Sequence, residues 1–245
     1  MTRSFLDLPV LEHSPAWALT SEEERAFVRA DDRPDGPQSL AELSPYLQYA
    51  TETTEFSEPA QTLGLERILV GRGQAWLGDE AGFCYSADVY PELSPNSILV
   101  INPDHIPAHL SLVDLFLHET THIFTNGDSH AWTFLVVLNV MRLRCGLWPS
   151  ADSYDWRDVQ HLPELEGLSL SESNIQRSGA DAARLLSPMP YSIGELSFLI
   201  QRIWDEVASK IVAADINVDF EELCQSTAQR AFANWMKAAQ SVERD

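Results

Sequence analysis

The sequence predicts an α+β fold in which a small, antiparallel sheet packs against helices, followed by a helical C-terminal appendage. Three observations predict this class. Short runs rich in β-branched and aromatic residues, between positions 65 and 102, have the length of strands. The strongly apolar stretch from Leu112 to Arg144 has the length of buried helices. From residue 171 onward, apolar residues recur at helical spacing.

A chain of 245 residues has room for one large domain with an appendage. We expect three parts. Residues 1–60 form a helical and irregular N-terminal segment, and residues 61–150 form the core. Residues 151–245 form a mostly helical region that packs on this core.

The N-terminal segment is expected to contain two short helices. Ser21 and Glu24 have the spacing of a capping box, which predicts a helix over Glu22–Ala30. A second helix is expected over Leu40–Tyr49, and the polar stretch Thr51–Ala60 is interpreted as a connector.

Three runs predict the strands of the sheet: Leu65–Val70, Gly82–Tyr90 and Ser97–Asn102. The third is the clearest, because it is a β-branched run bounded by prolines. Gln74–Leu77 can pair with these strands. Three or four short strands in succession give a small sheet, which we expect to be antiparallel.

The next helix carries the motif H-E-x-x-H, as His118-Glu119-Thr120-Thr121-His122. Positions four apart lie above one another on a helix, so His118 and His122 can direct two imidazoles at one zinc ion. Glu119 lies beside them, where it can deprotonate a zinc-activated water as the general base. The helix is apolar, with Ser111 as its candidate N-cap, and ionisable groups buried there without a partner would be costly.

A third histidine follows at the expected start of the next helix. Asn126-Gly127 predicts the end of the first helix, because glycine tolerates the left-handed conformation. The next helix is expected over Ser129–Cys145 and is apolar nearly all round, which indicates burial. His130 then lies in its first turn and can fold back as the third ligand. The predicted site holds one zinc ion per chain, with a fourth position left for water.

Three segments of this region, Ser97 to Pro103, Leu112 to His122 and Gly127 to Phe134, resemble the SprT-like zinc metallopeptidases. In that family a strand and a short polar turn precede the H-E-x-x-H helix, and a third histidine opens the next helix. The resemblance covers about residues 65–147. It implies a zincin-like catalytic core, in which the sheet packs on the H-E-x-x-H helix and the helix after it, and a protein or peptide substrate.

His118, Glu119 and His122 match the family motif residue for residue, and His130 matches its third ligand. The glycines that flank the third histidine in the family are replaced here, and the gap from His122 to His130 is short for the family. The pattern is not that of the metzincins, which need a glycine three residues after the second histidine, where this chain has Thr125.

Other residues near the motif are weaker candidates. Asp114 lies four residues before His118 on the same helical face, where it can orient the imidazole from outside the ligand shell. It can equally be an ordinary solvated helix residue. His105 and His109 are interpreted as loop residues, because three better-placed histidines already account for the site.

A peptide substrate can bind by adding a strand to a sheet edge, as zincin-like peptidases imply. The strand nearest the metal helix is short enough to be an edge strand, although it can equally be central. Its candidate substrate-binding residues are Ser97, Ile98, Leu99, Val100, Ile101 and Asn102. The loop-rich segment after the core adds Tyr154, Trp156 and His161 as candidates for a lid or a transition-state donor, or as an ordinary surface connection.

The C-terminal region is expected to contain three helices. They are Ser171–Leu186, interrupted near Gly179; a helix opened by the capping box of Ser192 and Glu195; and Asp219–Ala239. The last two carry apolar stripes, so these helices are expected to pack on one another or on the core. They can instead bind a protein partner.

The formal net charge of -21 bears on the partners of this acidic protein. A diffuse acidic surface repels nucleic-acid phosphates and anionic membranes, so neither partner is expected. The DNA-linked role of some SprT-like relatives is therefore not carried over. Three widely spaced cysteines predict no disulfide framework and no zinc ribbon. With neither a signal-peptide core nor a membrane-spanning run, the chain is expected to be soluble and cytoplasmic.

The first predicted function is that of a zinc metallopeptidase, and two alternatives stay open. The three histidines could hold a structural zinc in a non-enzymatic adaptor that binds another protein, although no obvious fourth ligand lies nearby in sequence. The site could also hydrolyse a non-peptide bond, because zinc, water and a glutamate serve several carbonyl chemistries.

Overall fold

The structure, a computed structural model, describes residues 2–15, 39–74, 77, 80–108, 110–125, 130–149, 172–213 and 219–242. These residues form an α+β fold, as predicted, with a five-stranded sheet. Their helices are α1 (Leu40–Leu43), α2 (Ser57–Leu63), α3 (Leu112–Thr125), α4 (Trp132–Arg144), α5 (Glu172–Leu186), α6 (Ile193–Ala213) and α7 (Phe220–Val242). The chain divides into two compact units, Met1–Ile123 and Phe124–Asp245.

The first unit contains the sheet. Its strands are β1 (Val10–Leu11), β2 (Leu47–Tyr49), β3 (Ile68–Gly73), β4 (Gly82–Tyr85) and β5 (Ser97–Ile101). The strand order is β1-β3-β5-β4, and β2 also pairs with β3. Along β3, β1 pairs in parallel with the last two residues, and β2 pairs antiparallel with the middle of the strand.

The prediction of an antiparallel sheet is wrong, because the sheet is mixed. β3 and β5 are parallel, with Val70 opposite Leu99, whereas β4 and β5 are antiparallel, with Cys84 opposite Leu99. The chain leaves β3, forms β4 at the outer position and returns as β5 between the two. Because the second strand of this hairpin joins β3, β3 and β5 run in the same direction.

The sequence left open whether Ser97–Asn102 forms an edge strand or a central strand, and the structure shows that the strand is central. Every residue of β5 is buried, and the strand is paired on both sides, with β3 and with β4. Asn102 is buried as well, and its N–H donates to the carbonyl of Ala81 at 2.8 Å. The continuous apolar run reflects burial on both faces, which is typical of a central strand. Among the described residues, β4 is the outermost strand at this end of the sheet.

The two faces of β5 contribute to packing on opposite sides of the sheet. Ile98 and Val100 belong to one buried apolar cluster. Ile101 alternates to the other face, which it shares with Gly82, its partner on β4. Glu119 of α3 lies against Gly82, which places α3 on that second face.

The segment before β3 differs from the sequence-based prediction. Of the helix predicted over Leu40–Tyr49, only α1 is α-helical, and a 3-10 turn over Ser44–Tyr46 leads into β2. Pairing with β3 overrides the local helical preference here. The expected connector Thr51–Ala60 contains the start of α2. The predicted helix Glu22–Ala30 lies outside the described residues.

The strands keep their predicted positions but differ in length. β3 continues through Gly71, beyond the predicted end at Val70, because the missing side chain of the glycine leaves room for β2. A Cβ atom there would lie 2.8 Å from Leu47 Cδ2. β4 ends at Tyr85 instead of Tyr90, and a turn follows. The described residues of Gln74–Leu77 belong to no strand.

The second unit is helical. α4 packs against α5 and α6, and α7 packs against the same two helices. The predicted interruption near Gly179 is wrong, because α5 is continuous through that residue. A Cβ atom at Gly179 would lie 3.5 Å from Leu135 Cβ on α4. The predicted capping box of Ser192 and Glu195 is confirmed by reciprocal hydrogen bonds of 2.8 and 3.3 Å. Within the part of the chain described, no helix has the length and apolarity needed to cross a membrane.

Candidate metal centre

Helix α3, which carries the H-E-x-x-H motif, is fixed at its start by a reciprocal cap. Ser111 Oγ accepts a hydrogen bond from the N–H of Asp114 at 3.1 Å, and Asp114 Oδ2 accepts one from the N–H of Ser111 at 3.0 Å. Ser111 is therefore the N-cap, as predicted. Residues 115–121 are all buried. The helix is therefore buried on every side over about two turns.

His118 and His122 face each other one turn apart. Their Nε2 atoms lie 3.2 Å apart, and their ring planes meet at 79°. Two nitrogens on one tetrahedral zinc ion, each 2.0–2.1 Å from the metal, are separated by about 3.3–3.4 Å. The observed spacing therefore fits a cation shared by the two rings without rearrangement. His118 is buried, with 8% of its surface exposed, and His122 is half-buried.

His130 completes a group of three histidines. One ring nitrogen from each of His118, His122 and His130 lies within 4.8 Å of the other two. Nitrogens at these separations can bind one metal ion after small side-chain rotations, since tetrahedral ligand edges are about 3.3–3.4 Å. The structure thus brings together the three residues that the sequence analysis selected.

His130 lies just before α4 instead of in the first turn of a helix. α4 begins at Trp132, with Ala131 extended at the N-cap position. The predicted start, Ser129, lies outside the described residues. The ring of His130 contacts Phe134 edge-on, with ring centroids 4.8 Å apart. This contact fixes the imidazole against the first turn of α4.

Glu119, which follows His118 on α3, is buried, with 6% of its surface exposed. Its carboxylate lies against the first residue of β4, where a Cβ atom on Gly82 would be 2.6 Å from Oε1. Burial, followed by the negative charge of Glu80, raises the pKa of the Glu119 carboxyl from its ordinary 4.5 to about 8. A divalent cation held by the histidines would oppose both effects and favour the ionised carboxylate.

The remaining candidates are not brought into this group. Asp114 Oδ2 also accepts a hydrogen bond of 2.7 Å from the hydroxyl of Ser111, as part of the helix cap. Its proposed role in orienting a ligand imidazole stays a prediction. His105 is exposed in a 3-10 turn and is not in the group. Outside the described residues lie His109, Tyr154, Trp156 and His161.

Two residues near Glu119, namely Glu80 and Gly82, were not predicted from the sequence. The only local signal was a glycine at the start of a predicted strand, which often marks a close approach of the backbone. Such a glycine does not indicate which group approaches it. Its proximity to Glu119 depends on how α3 packs on the sheet.

No family model, no curated protein and no solved structure matches this chain. The resemblance to the SprT-like family and the zincin-like packing therefore stay predictions. The residues themselves show an α+β fold in which three histidines lie close enough to bind one metal ion.

Proposed function

We propose that this chain is a zinc-dependent metallopeptidase, with His118, His122 and His130 as ligands and Glu119 as general base. The arrangement on α3 supports this most strongly. Two Nε2 atoms lie 3.2 Å apart on this helix, and the residue that follows His118 is a buried glutamate outside the ligand group. A purely structural site has no need of such a carboxylate, whereas hydrolysis needs a base.

Zinc is proposed because of the chemistry of the donors. Imidazole nitrogens suit zinc and neighbouring transition metals, whereas magnesium and calcium prefer oxygen. Three protein nitrogens on a tetrahedral zinc ion leave one position open, which is the arrangement of catalytic sites. Among the described residues, no further histidine, cysteine or carboxylate joins the three in the same group.

When bound, zinc would supply the Lewis acidity that polarises the scissile carbonyl and acidifies the attacking water. Glu119 accepts the proton of this water and later donates it to the leaving amine. Both transfers are efficient when the pKa of the carboxyl lies near the working pH. Burial raises this pKa and a neighbouring cation lowers it, so the two effects together bring the Glu119 carboxyl toward that range.

An extended protein or peptide segment is the proposed substrate. β4 is the outermost described strand at its end of the sheet, and it begins at Gly82, beside Glu119. Backbone hydrogen bonds would hold an extended segment with modest sequence selectivity. Docking on β5 is not proposed, because both edges of that strand are already paired.

The resemblance to SprT-like metallopeptidases supports the peptidase chemistry of the proposal and no more than that. Some members act on proteins crosslinked to DNA. The net charge of -21 opposes approach to phosphates, so DNA-bound substrates are not proposed for this chain.

The test is cleavage of fluorescently labelled casein by the full chain loaded with stoichiometric zinc. We expect cleavage that stops on zinc chelation and in the Glu119→Gln variant. A protein that binds zinc tightly but cleaves no casein would contradict the proposal and favour the zinc-stabilised adaptor. Hydrolysis of a nitrophenyl ester without cleavage of casein would instead favour a non-peptide substrate.

A further inference from the structure

We infer that Gly82 is a positioning residue for the proposed base: the bare backbone at the start of β4 holds the Glu119 carboxylate in place. The inference rests on the proposed function only for the role of Glu119 in hydrolysis. The contact between the two residues stands independently of any activity.

Position 82 needs glycine for its space and not for its backbone conformation. The positive-φ glycines of the described chain are Gly64 and Gly146, so the backbone at Gly82 would accept alanine. A Cβ atom there, however, would meet Glu119 at three atoms: Oε1 at 2.6 Å, Cδ at 2.7 Å and Cγ at 2.8 Å. All three distances are below the 3.4 Å at which ordinary contacts begin. The outer part of the Glu119 side chain therefore occupies the volume that a side chain at position 82 would need.

The strand cannot easily withdraw from this contact. Gly82 is paired with Ile101 of the central strand, and the adjacent carbonyl of Ala81 accepts a hydrogen bond of 2.8 Å from the N–H of Asn102. A side chain at position 82 would therefore displace Glu119 more readily than it would displace the backbone. Bringing the Oε1 contact from 2.6 Å to 3.4 Å moves the carboxylate by 0.8 Å.

A shift of this size matters for a general base. Misplacement of a catalytic group by about 1 Å costs about a hundredfold in rate. The three atoms nearest to the Cβ position of Gly82 all belong to Glu119, and Glu119 is not a member of the group of three histidines. Gly82→Ala should therefore affect the base and leave metal binding intact.

The contact is tested by a double-mutant cycle, measured by thermal unfolding of the full chain as purified, with zinc content determined on the same samples. Gly82→Ala is combined with Glu119→Ala, which removes the crowded atoms, and with Glu119→Gln, which keeps their shape. We expect Gly82→Ala to lower Tm in the parent and in Glu119→Gln, but not in Glu119→Ala. If Glu119→Ala does not fold, Glu119→Asp, which retracts the carboxylate by one methylene, replaces it.

Gly73→Ala is the matched control. A Cβ atom at Gly73 would lie 2.6 Å from Val100 Cγ1 and 2.7 Å from Leu77 Cδ1, so it is equally crowded but not by Glu119. Its effect on Tm is expected to be the same in every Glu119 background. An effect of Gly82→Ala that is likewise the same in every background would overturn the inference.

The second measurement is steady-state cleavage of casein. Gly82→Ala is expected to lower kcat about a hundredfold, with KM changed by less than about twofold and the zinc content unchanged. If the effect of Gly82→Ala on Tm depends on the residue at position 119 but Gly82→Ala keeps full activity, the positioning role is overturned. If the effect on Tm depends on the residue at position 119 but the parent cleaves no casein, Gly82 holds the carboxylate as inferred. The proposed function is then wrong.

Discussion

The indole N–H of Trp132 donates a hydrogen bond of 3.0 Å to the hydroxyl of Ser178, and both residues are buried. The hydroxyl in turn donates to the carbonyl of Ile175 at 2.9 Å. The bond between Trp132 and Ser178 joins the first residue of α4 to the middle of α5. Because His130 lies two positions before Trp132, the bond also anchors the segment that carries the third histidine.

Ser178→Ala is expected to lower the free energy of unfolding by about 1–3 kcal/mol, because it leaves the buried indole N–H of Trp132 without its acceptor. Chemical denaturation measures the loss. Ser226→Ala is the control, since Ser226 is exposed on α7 and its hydroxyl makes a similar helical bond of 3.1 Å to the carbonyl of Leu223. Equal losses in the two variants would contradict the importance of the Trp132 bond.

We expect about one zinc ion per chain in protein purified without added metal. The double variant His122→Ala/His130→Ala is expected to lose it, because one remaining imidazole cannot hold the ion. Elemental analysis provides the measurement, and His105→Ala, which changes an exposed histidine outside the group, is the control. If the double variant keeps its zinc, the ligand assignment is wrong.

Glu119→Gln is expected to keep the fold and the zinc while hydrolysis falls by about 10²–10⁴-fold, the range that general-base catalysis contributes. Glutamine has nearly the same shape but cannot accept the proton of the attacking water. Casein cleavage and zinc content are measured on the same preparation. Activity equal to that of the parent would refute the general-base role, and loss of zinc would indicate a structural role for Glu119.

The stability of the metal-free protein is expected to depend on pH through Glu119. The pKa of this carboxyl is about 8 in the folded chain against an ordinary 4.5, so the folded state holds the proton more tightly than the unfolded state does. Between these two values unfolding releases a proton, and stability falls as the pH rises. Below pH 4.5 the carboxyl is protonated in both the folded and the unfolded state, so it does not change the stability with pH. Above pH 8 it is ionised in both states, and burial of the charge destabilises the folded state fully.

Metal-free Glu119→Gln lacks this titration. We therefore expect the Tm of this variant to equal that of the metal-free parent below pH 4.5 and to exceed it above pH 8. Each kcal/mol shifts Tm by about 2–4 °C in a chain of this size, so a difference of several degrees is expected. Superimposable Tm profiles over the whole pH range would show that the carboxyl is not buried in the folded protein.

Arg144 is expected to be essential for the connection between α5 and α6. Its guanidinium donates hydrogen bonds to three carbonyls of that connection, those of Ser187, Met189 and Tyr191. Arg144→Met should lower the free energy of unfolding by at least about 1.5–3 kcal/mol, the contribution of a hydrogen bond from a charged donor. Urea denaturation measures it. Arg142→Met, on the same helix, removes a guanidinium whose hydrogen bond to the carbonyl of Trp148 is exposed, and a comparable loss there would contradict the prediction.

The features that sequence analysis predicted correctly are those whose information is local. Ser111 as N-cap, His118 and His122 on one helical face, and the capping box of Ser192 and Glu195 each depend on residues within four positions of one another. Such spacings follow from the geometry of the helix and need no knowledge of the remaining fold.

The features that it missed depend on residues far apart in the chain. The mixed sheet arises because β5 lies between β3 and β4. The amino-acid composition of these strands does not indicate the order in which they pair. The contact of Gly82 with Glu119 arises from the packing of α3 on the sheet. Gly179 appears as a helix breaker in the sequence, but α5 continues through it and packs against α4 and α7.

The two parts of the proposed site differ in when they can form. The pair of His118 and His122 needs one turn of helix, and helices form on the microsecond scale. The contact of Glu119 with Gly82 needs β4 to have joined β5, and long-range pairing of strands is slower. A nascent or partly unfolded chain can therefore capture a metal ion while its base is still out of place. For the proposed peptidase, this order of events would delay hydrolysis until β4 has joined β5.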